Sequence, residues 1–365
     1  MIMKKLIIPN DVVFLSGNGN HALGADILVH LSELFGKRCV FEHINYNKWP
    51  ELELDNRIPS YAKMKNKVVV IYQSLFRSDL VEEAEDLIWA CKHQYGAQYI
   101  IGIFPFMWNR RQDPKMFAKE GDLGKKIAKP DEIQRLRMTI SKLAFCGVDE
   151  MLVATPHSNM MSEYCKEYGV VFNEINPSPL FAKTMDTFVR DDEKNLVKVY
   201  SPDLGSIQRA IELGSLLKCP VLFNEKNRAI NSETTIIESE AEEIKNLVMK
   251  LREAYNFPEI HYATSEMVKD QIVAMIEDEV ASGGTANGTG RRLADFGVKS
   301  SYLLATHPVL TLSWRNKLFF NDPFTKVIMA NSIPRNYEKR TGGKIFDISL
   351  GSLFASDLFR ALNRL

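Results

Sequence analysis

Ten short runs of aliphatic and β-branched residues recur along this chain, and stretches with helical spacing separate them. The runs cover 12–16, 38–42, 67–73, 99–104, 150–154, 197–201, 220–224, 272–276, 301–306 and 326–330. Helical patterns fill 22–34, 80–93, 130–145, 206–217 and 291–296. Continuous apolar runs suit strands covered on both faces, so this alternation predicts α/β layers with mostly parallel sheets. Ligands of such sheets gather at the carboxyl ends of the strands. The residues just after each run are therefore the ones to read for chemistry. At 365 residues the chain exceeds one typical core, which predicts two domains. The boundaries expected are 1–180 and 181–342, with 343–365 forming a strand and helix that pack back on the first domain. A helix over 238–255 has Ile244, Leu247, Val248 and Leu251 as one narrow apolar stripe on a charged surface.

Bulk properties remove several classes. The 46 basic and 46 acidic residues cancel, so no nucleic-acid partner is expected. No apolar run approaches the roughly 20 residues of a membrane span. The opening Met-Ile-Met-Lys-Lys lacks the pattern of a secretory leader. Cys39, Cys91, Cys146, Cys165 and Cys219 are odd in number and include no close pair. Reduced thiols and a cytoplasmic setting are expected.

The stretch 276–285, Ile-Glu-Asp-Glu-Val-Ala-Ser-Gly-Gly-Thr, carries the clearest chemistry. A strand ends at Ile276 in this reading, and the carboxylates Glu277 and Asp278 follow it directly. Gly283 and Gly284 let backbone N–H groups approach an anion, and Ser282 and Thr285 add hydroxyl donors. A helix beginning near Ala286 supplies its positive end. Such a cradle suits a sugar phosphate, whose hydroxyls or metal the acids would hold; an ordinary strand–turn–helix corner has the same local pattern. Ser201-Pro202-Asp203 ends another strand, and Asp203 there suits either Mg²⁺ binding or an N-cap. Arg111, Gln112 and Asp113 follow the 99–104 run beside several aromatics, a set able to clamp a polyphosphate or to form a solvated loop. His157 follows the 150–154 run and can serve as a metal ligand or phosphate donor. Lys226 and Arg228 are two apart, so in an extended loop they point the same way and could neutralise a moving phosphoryl group.

The order of these pieces resembles the ribose-phosphate pyrophosphokinases. Phe14-Leu15-Ser16-Gly17-Asn18, Arg111-Gln112-Asp113, His157, Ser201-Pro202-Asp203, Lys226 and Arg228, Ser282-Gly283-Gly284-Thr285, Ala305-Thr306-His307-Pro308 and Asn331-Ser332-Ile333-Pro334 appear in the family's sequence order, over nearly the whole chain. The resemblance implies two tandem type I phosphoribosyltransferase-like domains. It implies transfer of the β,γ-diphosphoryl group of ATP to the 1-hydroxyl of ribose 5-phosphate, with Mg²⁺ as cofactor. Arg111, Gln112 and Asp113 would contact ATP, while His157 and Asp203 would serve the Mg²⁺–ATP centre. Lys226 and Arg228 would close over the transferring phosphates. Glu277, Asp278 and Ser282 to Thr285 would hold the sugar phosphate. An adenine pocket completed by a neighbouring subunit, in a region occupied here by Tyr46 and Trp49, implies a homo-oligomer.

Departures mark a divergent member. Ala281 stands where the family has an aspartate and cannot hold a ribose hydroxyl. Thr155 replaces an aspartate two residues before the histidine, and Ser206 replaces a glycine. Asn287-Gly288-Thr289-Gly290 puts two poor helix formers where a helix is expected, at about 1 kcal/mol each. Residues 235–258 form an insertion. These departures also suit a non-catalytic relative that binds nucleotide or sugar phosphate and regulates a partner. A phosphoribosyltransferase needs only one such domain.

Overall fold

The computed structural model describes residues 11–51, 53–58, 61–113, 131–224, 238–311 and 313–365. It divides into two compact units, one made of 1–176, 332–334 and 349–365, the other of 177–331 and 335–348.

The first unit runs β1 (Val12–Ser16), α1 (His21–Phe35), β2 (Glu42–His43), β3 (Asn45–Lys48), β4 (Leu54–Arg57), β5 (Val68–Tyr72), α2 (Ser78–Trp89), β6 (Tyr99–Phe104), α3 (Arg135–Cys146), β7 (Glu150–Ala154), α4 (Met160–Glu167) and β8 (Val171–Ile175). Its sheet has the order β2-β1-β5-β6-β7-β8, and every pairing is parallel. β1, β5 and β7 are buried along their whole length, which is why they read as unbroken apolar runs. β3 and β4 form a separate antiparallel hairpin. Asn20 caps α1, its side chain accepting from the Leu23 N–H, and Gly36 ends the helix at φ 62°. Only Glu42 of the 38–42 run is paired, because β2 is a two-residue edge strand.

The second unit runs α5 (Ser178–Phe188), β9 (Val197–Ser201), α6 (Ile207–Leu217), β10 (Val221–Phe223), α7 (Glu238–Tyr255), β11 (Ile260–Tyr262), α8 (Ser265–Val268), β12 (Ile272–Val280), α9 (Gly284–Asp295), β13 (Ser300–Pro308), β14 (Lys326–Ala330), α10 (Tyr337–Arg340) and β15 (Ile345–Ile348). Its sheet, β11-β10-β9-β12-β13-β14-β15, is again wholly parallel. Val273, Met275, Leu303 and Val327 lie at its core with Leu293 of α9. Ile244, Leu247, Val248 and Leu251 of α7 are half-buried, as a narrow stripe requires.

The chain closes with α11 (Gly351–Arg364), which belongs to the first unit. Phe354, Leu358 and Leu362 fall on its buried face, and Phe359 meets Phe35 of α1 edge-on at 5.0 Å. A Cβ on Gly351 would stand 2.1 Å from Asp26 Oδ2, so only glycine allows this approach. The strand expected to accompany this helix onto the first domain stays instead in the second sheet. Its apolar Ile345 and Ile348 pair beside β14.

Candidate active site

In the first unit the candidate residues lie after β6 and β7, neighbouring strands of the sheet. Asn109, at φ 63°, turns the chain after β6, and its carbonyl accepts from the Gln112 N–H at 2.9 Å. Arg111 and Gln112 are exposed at this turn, whereas Asp113 is buried. Ser158 Oγ donates to Asp113 Oδ2 at 2.5 Å, which brings the Arg-Gln-Asp segment beside the loop that carries exposed His157. No sequence signal marked Ser158 as the partner of Asp113. Thr155 is buried at φ 35°, a left-handed conformation that costs a β-branched residue about 1–3 kcal/mol. Tyr46 lies in the β3 strand of the separate hairpin, and Trp49 after it is half exposed.

In the second unit the carboxyl end of β9 places Asp203 near Glu277 of β12, with Asp278 the next residue of that strand. Asp203 accepts from the Ser206 N–H at 3.1 Å and so does cap the following turn. It remains partly exposed, so capping leaves one carboxylate edge open. Ser206 Oγ reaches Glu277 Oε2 at 3.4 Å, so the residue replacing a glycine touches Glu277. Loss of solvent, with Asp278 and Asp203 nearby, pushes the Glu277 carboxyl up to about 8.

Two expectations about the 276–285 stretch change. The strand does not end at Ile276 but continues to Val280, because β13 extends alongside and pairs Glu277 with Ala305, Glu279 with His307 and Val280 with Pro308. Glu277 and Asp278 therefore occupy opposite faces of a strand rather than a free loop. The helix begins at Gly284 rather than Ala286, so Thr285 lies in its first turn. Gly283 takes φ 72° to make the corner, a conformation glycine adopts freely. Gly284 and Thr285 are exposed at the positive end of the twelve-residue α9.

The low-propensity Asn287–Gly290 segment is helical, and packing accounts for most of it. A Cβ on Gly290 would lie 2.5 Å from Pro323 Cγ, and Asn287 Nδ2 donates to the Lys317 carbonyl at 2.6 Å. Gly288 meets nothing, and the structure gives no reason for it. Lys226 and Arg228 lie outside the described residues. Among the described residues no group of three or more His, Cys, Asp or Glu is placed to hold a metal ion.

No protein-family model matches the chain. Curated relatives do. Ribose-phosphate pyrophosphokinase 1 of Streptococcus agalactiae is 24% identical over 266 residues, covering 72% of this chain and 69% of that protein. The ribose-phosphate pyrophosphokinase of Staphylococcus saprophyticus is 23% identical over 278 residues, 76% and 73% of the two chains. The crystal structure of phosphoribosylpyrophosphate synthetase from Mycobacterium smegmatis aligns with a TM-score of 0.71 at 18% identity, over 97% of this chain and 99% of that one. The fold is that of two tandem type I phosphoribosyltransferase-like domains with parallel sheets. With the sequence matches, this makes the chain a divergent relative of the ribose-phosphate pyrophosphokinases.

Proposed function

We propose that this chain is a ribose-phosphate diphosphokinase, forming phosphoribosyl pyrophosphate and AMP from ATP and ribose 5-phosphate. The observation that carries the reading is the Ser282–Thr285 corner, which opens α9 directly after a strand bearing Glu277 and Asp278. Backbone N–H groups, two hydroxyls and the helix end favour a phosphate there, and the carboxylates favour sugar hydroxyls. In the first unit, Arg111 and Gln112 would hold the ATP phosphates, with Asp113 fixed by Ser158. Tyr46 or Trp49 would line an adenine pocket shared with a second copy in a homo-oligomer.

The reaction forms a bond between the sugar 1-oxygen and the β-phosphorus and breaks the bond from that phosphorus to the α-phosphate bridge. AMP leaves, and the hydroxyl loses its proton. Little covalent work falls to the protein, which must align the groups and offset charge. His157 would donate to a phosphate oxygen, and Lys226 and Arg228 would add positive charge. Asp203, an oxygen donor left partly exposed after β9, would hold Mg²⁺ in the second unit. A cation there would oppose the field that raises Glu277. Mg²⁺ commonly takes one or two carboxylates and completes its shell with water and substrate phosphates, so no closed cage is needed. Bound there, it would neutralise phosphate charge. Among the described residues no helix is long and apolar enough to cross a membrane. A cytoplasmic location is part of the proposal.

Phosphorus NMR of the protein with ATP, Mg²⁺ and ribose 5-phosphate tests the proposal. AMP and a sugar-linked diphosphate should appear together. ATP binding without turnover would replace it with the regulatory reading, which Ala281 and Thr155 favour.

A further inference from the structure

The loop that crosses the sugar-phosphate cradle carries a cation that the sequence pattern did not mark. Residues 316–320 form a single wide turn between β13 and β14. The Lys317 Nζ lies 3.3 Å from the point where a Cβ on Gly284 would stand, and Ser282 Oγ lies 3.6 Å from the same point. An anion over Gly284 would therefore meet an ammonium, a hydroxyl and the start of α9 together. We infer that Lys317 is a phosphate-binding residue of this cradle, acting on a phosphomonoester such as the 5-phosphate of a pentose. The inference rests on the reading of Ser282–Thr285 as a sugar-phosphate site.

The placement of Lys317 is built in. Asn287 Nδ2 donates to the carbonyls of Lys317 at 2.6 Å and Asn321 at 3.0 Å, tying both ends of the turn to α9. Arg291 Nε donates to Asn287 Oδ1 at 3.0 Å and fixes that amide's orientation. The buried Leu318 side chain fills the space beside Gly283, where a Cβ would come within 2.9 Å of Leu318 Cγ. Gly290 leaves room for Pro323 and Phe324, which continue the same crossing segment. The unusual composition of α9 is thus matched to the segment that delivers Lys317. Lys317 itself is only partly buried, so its ammonium can reach an incoming anion. No acidic residue stands in the first turn of α9 to compete for it.

Calorimetric titration of the full chain with ribose 5-phosphate tests the assignment, using wild type, Lys317→Met, Lys317→Gln and Lys317→Arg. Loss of one charge-assisted contact should weaken binding by about 10-fold to 100-fold in Lys317→Met and Lys317→Gln. Lys317→Arg should stay within about three-fold of wild type, because it keeps the charge. Affinity should also fall less steeply with salt in the two uncharged variants. Wild-type affinity and salt dependence in Lys317→Gln would overturn the assignment while leaving the cradle standing. A wild-type chain that binds neither ribose 5-phosphate nor inorganic phosphate would instead remove the cradle itself, and Lys317 with it.

Discussion

Each unit contains a glycine corner between a parallel strand and a helix, yet the two corners are used differently. After β1, Gly17 and Gly19 are buried; the Gln73 side chain occupies the space beside Gly17, and the Ser74 backbone lies against Gly19. Gln73 Oε1 accepts from the Gly19 N–H at 2.7 Å, and Gln73 Nε2 donates to buried Glu83 at 2.8 Å. After β12, Gly284 is exposed, and the groups around its open side are the Ser282 hydroxyl and the Lys317 ammonium. The first corner is completed by an amide of the same unit, whereas the second presents donors to solvent. A glycine-rich strand-to-helix turn therefore signals a ligand only where the chain has not filled it. Sequence alone gives the two corners similar standing, because both have glycines next to hydroxyl or amide residues.

Three substitutions test this difference beyond the Lys317 series. The largest effect is expected at Glu277, on the strand leading into the open corner. The folded chain keeps the Glu277 proton up to about pH 8, while an unfolded glutamate releases it near 4.5. The stability this provides is present at low pH and is lost as pH rises from about 4.5 to 8. Glu277→Gln should remove that part of the slope in metal-free buffer, stabilising the protein at pH 9 relative to pH 6 by on the order of 3 kcal/mol. Thermal melts of both proteins at the two pH values measure it, and parallel slopes would contradict the assigned burial.

Next is Gly284→Asp, which places a carboxylate within reach of Lys317 and in the phosphate's place. Ribose 5-phosphate affinity should fall by about 100-fold, near 2.7 kcal/mol, with little change in melting temperature. Retained affinity would show that the open corner is not where phosphate binds. The smallest effect is Gly17→Ala, whose Cβ would stand 2.2 Å from Gln73 Oε1. Overpacking should cost about 2 kcal/mol of stability, lowering the melting temperature by about 4–8 °C. Once folded, this variant should bind ribose 5-phosphate like wild type. A selective loss of affinity instead would erase the contrast between the corners.

Much of the fold was legible because it follows from local periodicity. Unbroken apolar runs such as Val68–Tyr72 suit strands covered on both faces, and parallel order follows from the helices between them. Elements with mixed composition were harder to read. β8 leaves Val171 exposed and half-buries Asn173, so its pattern does not alternate cleanly, and β2 is held as an edge strand by only two paired residues. The acidic Glu277-Asp278-Glu279 looked like a loop, but the length of β13 keeps it in the sheet.

The candidate site divides along the same line. The order of Arg111-Gln112-Asp113, His157, Asp203 and the Ser-Gly-Gly-Thr corner could be read in the sequence, since each follows a strand and carries its own turn chemistry. The tertiary structure alone placed Ser158 on Asp113, Ser206 against Glu277, Gln73 in one glycine corner and Lys317 over the other. A turn's shape depends on the few residues that make it. The side chain that fills or guards it arrives from elsewhere in the chain, and only packing decides which one.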